Sequence, residues 1–139
     1  MTPTVLFLCT GNSCRSQMAE GFLRHLAGGQ FEAASAGSDP VPVNPMAIAV
    51  MAEVGIDISG HRSKSVDEFV GRDLTWLITV CDRASRNCPT LPGHAGRLAW
   101  DLPDPAHVGG PEHVRREAFR NVRDTIRTRV EAFVGAPFS

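Results

Sequence analysis

Two residues near the N-terminus have the types and spacing of a nucleophile and an anion clamp. Cys9 and Arg15 are separated by Thr10, Gly11, Asn12, Ser13 and Cys14, a loop with hydroxyls and a glycine. A thiolate attacks electrophilic centres, and an arginine fork binds two oxygens of a tetrahedral anion. Gly11 can take a positive φ, so the loop can curl its amides around an oxyanion. The plain alternative is a buried strand-end cysteine and a surface arginine. The flanking elements favour the chemistry. Val5 to Leu8 is a short apolar run that reads as a buried strand, and a helical pattern begins at Arg15. The loop therefore lies between a strand and a helix N-terminus, where outward-pointing N–H groups attract negative charge and favour thiolate at Cys9.

A second pair, Cys81 and Cys88, is separated by six residues. On a continuous helix their Cα atoms would be about 10 Å apart, and a disulfide needs them within about 7 Å. The pair closes only if residues 81–88 bend or unwind. The polar string Asp82-Arg83-Ala84-Ser85-Arg86-Asn87, stopped by Pro89, suits a segment that is helical when reduced and looped out when oxidised. The alternative is two unrelated thiols. A third feature is acidic: Asp101 and Asp104 are candidates to give a proton to a departing oxygen.

These groups need a scaffold, and the chain supplies alternating elements. Residues 15–27 form a helix with Met18, Phe22, Leu23 and Leu26 on one stripe, ended by Gly28-Gly29. Residues 31–36 read as a second strand. Asn44-Pro45 starts a helix with Ile48, Met51 and Val54 facing the core. Residues 66–70 form a short helix. Leu74 to Val80 is the strongest strand signal and Arg97 to Trp100 a fourth strand. Residues 112–134 form the last helix, with Val114, Ala118, Val122, Ile126, Val130 and Phe133 inward and its arginines, Arg123 among them, as a solvated face. Strands alternating with helices predict a single α/β domain over residues 1–139, a parallel sheet with helices on both faces. Cys9, Cys81 and Asp104 all lie at or just past strand carboxyl ends, where such sheets carry their sites.

Composition narrows the classes. A chain of 139 residues with net charge −1 has no basic patch for nucleic acid and no span for a bilayer. It reads as a cytoplasmic protein, in which four cysteines are reactive or metal-binding sooner than a disulfide framework. No histidine stands at zinc-finger spacing from a cysteine, so no bound metal is expected.

The stretch Cys9 to Arg15 resembles the phosphate loop of the low-molecular-weight protein tyrosine phosphatases. The longer string Cys-Thr-Gly-Asn-Ser-Cys-Arg-Ser-Gln-Met-Ala-Glu-Gly, residues 9–21, is similar to the thioredoxin-coupled arsenate reductases built on that fold, as are Thr-Val-Cys-Asp at 79–82 and Asn-Cys-Pro at 87–89. The resemblance implies a four-stranded sheet in the order 2-1-3-4. It implies an oxyanion cradle of Thr10, Gly11, Asn12, Ser13, Cys14, Arg15 and Ser16. Asp104 is the acid, because the family places it in an Asp-Pro dipeptide. Asn12 and Ser16 match residues that orient the loop and the nucleophile. Glu20 and Ser35 match positions that hold a potassium ion beside Asn12 in some members, and Lys64 stands where those members carry an acid. Its ammonium is expected near Asn12 and Glu20, doing the ion's work.

The implied activity is reduction of arsenate to arsenite by a Cys9–Cys81–Cys88 relay. No cofactor is bound; thioredoxin or a similar external dithiol is the reductant and the protein partner, and the expected state is a monomer. Weak phosphatase activity is expected alongside. The phosphatases usually carry an aromatic residue after the Asp-Pro; here Ala106 follows and the chain has no tyrosine, which favours a small inorganic oxyanion. Two alternatives stand: a protein tyrosine phosphatase that leaves Cys81 and Cys88 idle, and a non-catalytic oxyanion- or arsenite-binding module.

Overall fold

The apolar run at Val5–Leu8 becomes the centre of a sheet. In the computed structural model, residues 2–80 and 96–135 are described; Cys81, Cys88 and the segment between them lie outside these residues. Strand β1, Thr4–Cys9, lies between β2, Glu32–Gly37, and β3, Trp76–Thr79; β4, Gly96–Ala99, pairs with β3. All three pairings are parallel, in the order β2-β1-β3-β4. Val5 to Leu8 are fully buried and all of β3 is buried, so the central strands are covered on both faces, as their unbroken apolar character requires. No helix among the described residues is long and apolar enough to cross a membrane.

Three helices cover the sheet among the described residues. Helix α1, Arg15–Ala27, buries Met18, Ala19, Phe22 and Leu23. Helix α2, Pro45–Glu53, begins where Asn44 Oδ1 accepts the Met46 N–H at 2.9 Å, with proline at the first helical position. Helix α3, Glu112–Gly135, packs on α1 and α2. Phe133 on α3 meets Trp76 edge-on at 5.4 Å and Phe31 at 5.5 Å, aromatic contacts that each stabilise by about 0.5–1.5 kcal/mol beyond their buried area.

The inward faces differ in detail from the sequence expectation. On α2, Ala47, Val50 and Met51 are buried while Ile48 and Val54 are only partly so. On α3, Val114 is exposed and Phe119 is the first buried residue. Arg123 is buried instead of solvated: its Nη1 donates to the Val50 carbonyl and to Glu53, both at 2.9 Å. Glu53 also receives Arg120 at 2.7 and 2.9 Å, and this ion cluster sets how α3 seats on α2. The fourth strand runs over Gly96–Ala99, one residue earlier than the sequence suggests, with Gly96 opposite Trp76. A side chain at Gly96 would run into the Trp76 ring.

Candidate active site

Cys9 is the last residue of β1 and is almost fully buried. The backbone N–H of Asn12 donates to its Sγ at 3.2 Å. Ser16 Oγ lies 2.8 Å from the same sulfur and accepts a hydrogen bond from Asn12 Nδ2, also at 2.8 Å. With Asn12 donating to that oxygen, the Ser16 hydroxyl proton is free to point at Cys9. Two hydrogen-bonding groups and the start of α1 thus face one sulfur.

The loop conformation is over-determined. Asn12 has φ 47°, the left-handed region that asparagine tolerates better than most residues. Its Oδ1 accepts from Gln17 Nε2 and from the Lys64 backbone N–H, each at 3.0 Å, and its carbonyl accepts from Gln17 at 3.1 Å. The other loop carbonyls are taken from outside. Ser38, Asp39, Val41 and Asn44 donate their backbone N–H groups to the carbonyls of Cys9, Thr10, Gly11 and Ser13, at 2.8 to 3.2 Å. A trans peptide directs its N–H opposite its C=O. A segment that pulls the carbonyls outward therefore turns the loop amides toward the cleft. The N-cap residue of α1, Cys14, makes no side-chain capping hydrogen bond.

The cleft above this loop measures about 470 Å³. Arg15 lines it. Its Nη1 donates to the Leu102 carbonyl at 3.0 Å, and its Nη2 lies 3.6 Å from Asp104 Oδ2. Its Nε is buried without a hydrogen-bond partner among the described residues, a donor that a bound oxyanion would satisfy. Asp104 starts a 3-10 turn, Pro105–His107, with Oδ1 accepting the Ala106 N–H at 3.0 Å. Cys14, also in the loop, is buried, with Sγ 3.7 Å from Asp104 Oδ1. Burial first, then the charges of Asp104 and Cys9, push its thiol up to about 12. At neutral pH it stays a thiol, chemically unlike the donor-flanked sulfur of Cys9.

The supporting residues form a network behind the loop, from the buried Glu20 and Ser35 out to the exposed Arg24. Ser35 Oγ donates to Glu20 at 2.5 Å, and Arg24 pairs with Glu20 at 2.8 Å. His61 Nδ1 meets Gln17 Oε1 at 2.9 Å and its Nε2 meets Arg24 Nη1 at 3.1 Å. Burial holds His61 below its ordinary range, and the neutral form fits these partners: Nδ1–H donates to Gln17 and Nε2 accepts from Arg24. The backbone of Lys64, not its ammonium, contacts Asn12; Nζ donates to the Arg62 carbonyl at 3.1 Å. Burial lowers the Lys64 pKa while Glu20 opposes the shift, and the close cation of Glu20 is Arg24. Sequence reasoning did not single out Gln17, Arg24 or His61. Gln17 stood inside the string at 9–21, but nothing local marked it as the link between the loop and His61.

Cys9, Cys14, Arg15 and Asp104 thus meet in one cleft, and Asn12 and Ser16 brace it. Val80, the last described residue before Cys81, donates its N–H to the Leu8 carbonyl at 2.9 Å, directly beside the end of β1.

Comparison with known proteins agrees with this geometry. The profile of the family Low molecular weight phosphotyrosine protein phosphatase matches residues 4–136. The protein named Arsenate reductase 2 of Staphylococcus epidermidis is 42% identical over 130 residues, 94% of this chain and 95% of its own. The arsenate reductase of Bacillus subtilis is 41% identical over 129 residues, 93% of each chain. A solved structure described as an arsenate reductase in oxidized state superposes with a TM-score of 0.82 at 36% identity, covering 96% of this chain and 98% of that one. A thioredoxin-dependent arsenate reductase of Corynebacterium glutamicum gives 0.72 at 29% identity, covering 98% of this chain and 63% of that one. The chain belongs to the low molecular weight phosphotyrosine protein phosphatase family, in the branch it shares with these arsenate reductases.

Proposed function

We propose that this chain reduces arsenate to arsenite, with Cys9 as nucleophile and a cysteine relay that ends on thioredoxin or a like dithiol. The observation that carries the reading is a donor-flanked Cys9 sulfur beneath a cradle whose Arg15 Nε lacks a partner among the described residues. The names of relatives that align over more than nine-tenths of the chain support arsenate as the oxyanion, and arsenic detoxification as the role.

Arsenate binds with its oxygens on the loop amides of Thr10 to Ser16 and on Arg15. Cys9 Sγ attacks arsenic, an As–O bond breaks, and Asp104 protonates the departing oxygen, which leaves as water. Cys81 thiolate then attacks Cys9 Sγ. The electron pair of the S–As bond goes to arsenic, arsenite leaves, and a Cys9–Cys81 disulfide remains. Cys88 attacks Cys81 Sγ, frees Cys9 as thiolate and moves the disulfide to Cys81–Cys88, which the external dithiol reduces. Ser16 and Asn12 hold the thiolate through each cycle, and the network of Gln17, Glu20, Ser35 and the Lys64 backbone holds Asn12.

The test is NADPH oxidation with arsenate, thioredoxin and thioredoxin reductase, for wild type and Cys88→Ser, with aryl phosphate hydrolysis in parallel. Wild type should consume NADPH continuously and Cys88→Ser should stop after about one turnover. Absent NADPH loss with brisk phosphate hydrolysis in both proteins would make the chain a phosphatase with two idle thiols.

A further inference from the structure

Asp104 presents two oxygens in different circumstances. Oδ1 is committed to the turn: it accepts the Ala106 N–H at 3.0 Å and faces Cys14 Sγ at 3.7 Å. Oδ2 faces the cleft between two nitrogens, Arg15 Nη2 at 3.6 Å and His107 Nε2 at 3.4 Å. Oδ2 is therefore the oxygen that can carry a proton to a departing group. It cannot take that proton from Arg15, which stays charged at every working pH. Cys14 faces the other oxygen. His107 remains. It lines the same cleft as Cys9 and Arg15, and its side chain is 81% exposed, so solvent reaches the far side of its ring.

We propose that His107 is the positioning residue that charges Asp104 with its proton when the oxyanion binds. This rests on the reading of Asp104 as the acid. The sequence of events follows from the distances. An entering oxyanion takes over the Arg15 guanidinium, which then no longer faces Asp104 Oδ2. Oδ2 is left beside the negative oxyanion and the imidazolium. The proton on His107 Nε2 passes to Asp104 Oδ2, giving neutral imidazole and neutral carboxylic acid. Asp104 gives that proton to the oxygen leaving arsenic, and His107 regains one from solvent. No electrons move in this exchange, and one proton from water is consumed per oxyanion attacked.

Imidazole suits the task because it changes charge between pH 5 and 8. Among the described residues, the charged groups around it can be named. Asp104 is on its own turn, Arg15 comes from the first turn of α1, and Asp39 and Asp101 line the same cleft. On α3, which packs against this turn, Arg115 donates to the Gly110 carbonyl and Arg116 pairs with Glu112 and Glu53, so both are engaged elsewhere. Ala106 gives the rim no side chain beyond a methyl, and His107 stands next to it at the mouth.

The experiment compares wild type, His107→Ala, Asp104→Asn and the double variant between pH 5 and 8.5, with and without added imidazole. Two readouts run together: arsenate-dependent NADPH oxidation and aryl phosphate hydrolysis, which uses the same first displacement. His107→Ala should lose about threefold to tenfold in kcat/KM near pH 7. The loss should shrink toward pH 5, where protons from solvent are more abundant, and imidazole should restore the rate near pH 7. Asp104→Asn should gain nothing from imidazole, and adding His107→Ala to it should change nothing further. An unchanged rate in His107→Ala, or a loss equal at every pH that imidazole does not repair, overturns the proposal. If NADPH oxidation is absent in wild type, arsenate reduction has failed, and the hydrolysis arm still decides the role of His107.

Discussion

Gly37→Ala tests whether the loop from Cys9 to Ser16, the proposed oxyanion cradle, is held by what packs behind it. Gly37 ends β2 and pairs in register with Cys9. A Cβ there would lie 2.6 Å from the Thr10 carbonyl oxygen, 2.9 Å from the Asn12 nitrogen and 3.1 Å from the Asn12 Cβ. Two of these are backbone atoms of the loop, so no side chain can swing aside. Gly37 cannot retreat either: its N–H donates to the Lys64 carbonyl at 2.9 Å, and it bridges to Ser65. The methyl must push Thr10 and Asn12 by most of an ångström. Overpacking of this kind costs about 1–3 kcal/mol in stability, or about 3–10 °C in Tm for a domain of this size. The effect on chemistry should exceed that share of folded protein. A misplacement of about 1 Å in a reacting array costs about 100-fold, so kcat/KM for arsenate should fall by about tenfold to 100-fold while the protein stays folded. The assay is coupled NADPH oxidation at 25 °C beside thermal unfolding, with Gly60→Ala as control, since nothing lies within 4 Å of a Cβ built there. Wild-type kcat/KM in Gly37→Ala would refute the claim that the contact from β2 fixes the cradle.

Ser16→Ala removes the hydroxyl that faces Cys9 at 2.8 Å. A hydrogen bond to a charged group contributes about 1.5–3 kcal/mol, so alkylation of Cys9 by iodoacetamide at pH 7, followed by mass spectrometry of its peptide, should slow by about tenfold or more; an equal rate would remove Ser16 from the thiolate's support. Because Arg24 and Ser35 already engage Glu20, activity should be the same in potassium and sodium buffers, and stimulation by potassium would show a cation site the network does not anticipate. Glu53 is held at about 2 by hydrogen bonds from Arg120, then Arg123. Its folded-state pKa is depressed, so its contribution to stability is present above the ordinary value of 4.5 and is lost as pH falls from there toward about 2. The Tm gap between wild type and Glu53→Gln should close across that range; a gap independent of pH would count against the pairing.

The sequence by itself determined the parts of this protein that depend on neighbours along the chain. A run of apolar residues, a glycine-bearing loop and a helical stripe place Cys9 and Arg15 between strand and helix, because strand, turn and helix start are local choices. Alternation of elements implied a parallel sheet; residue types left Asp101 and Asp104 as candidate acids, and the family resemblance chose Asp104. Tertiary structure decided what holds these groups. The loop carbonyls are captured by residues 38–44, and Asn12 is fixed by Gln17 and by the backbone of Lys64, 52 residues away. Lys64 illustrates the difference: its position beside the loop was legible, but the direction of its ammonium depends on a carbonyl at Arg62 and on Arg24 having already matched Glu20. Arg123 does so on α3, where periodicity assigned it to solvent and the carboxylate of Glu53 drew it under α2. A charged side chain is buried or solvated according to the partner that meets it, and that partner is chosen when distant segments pack.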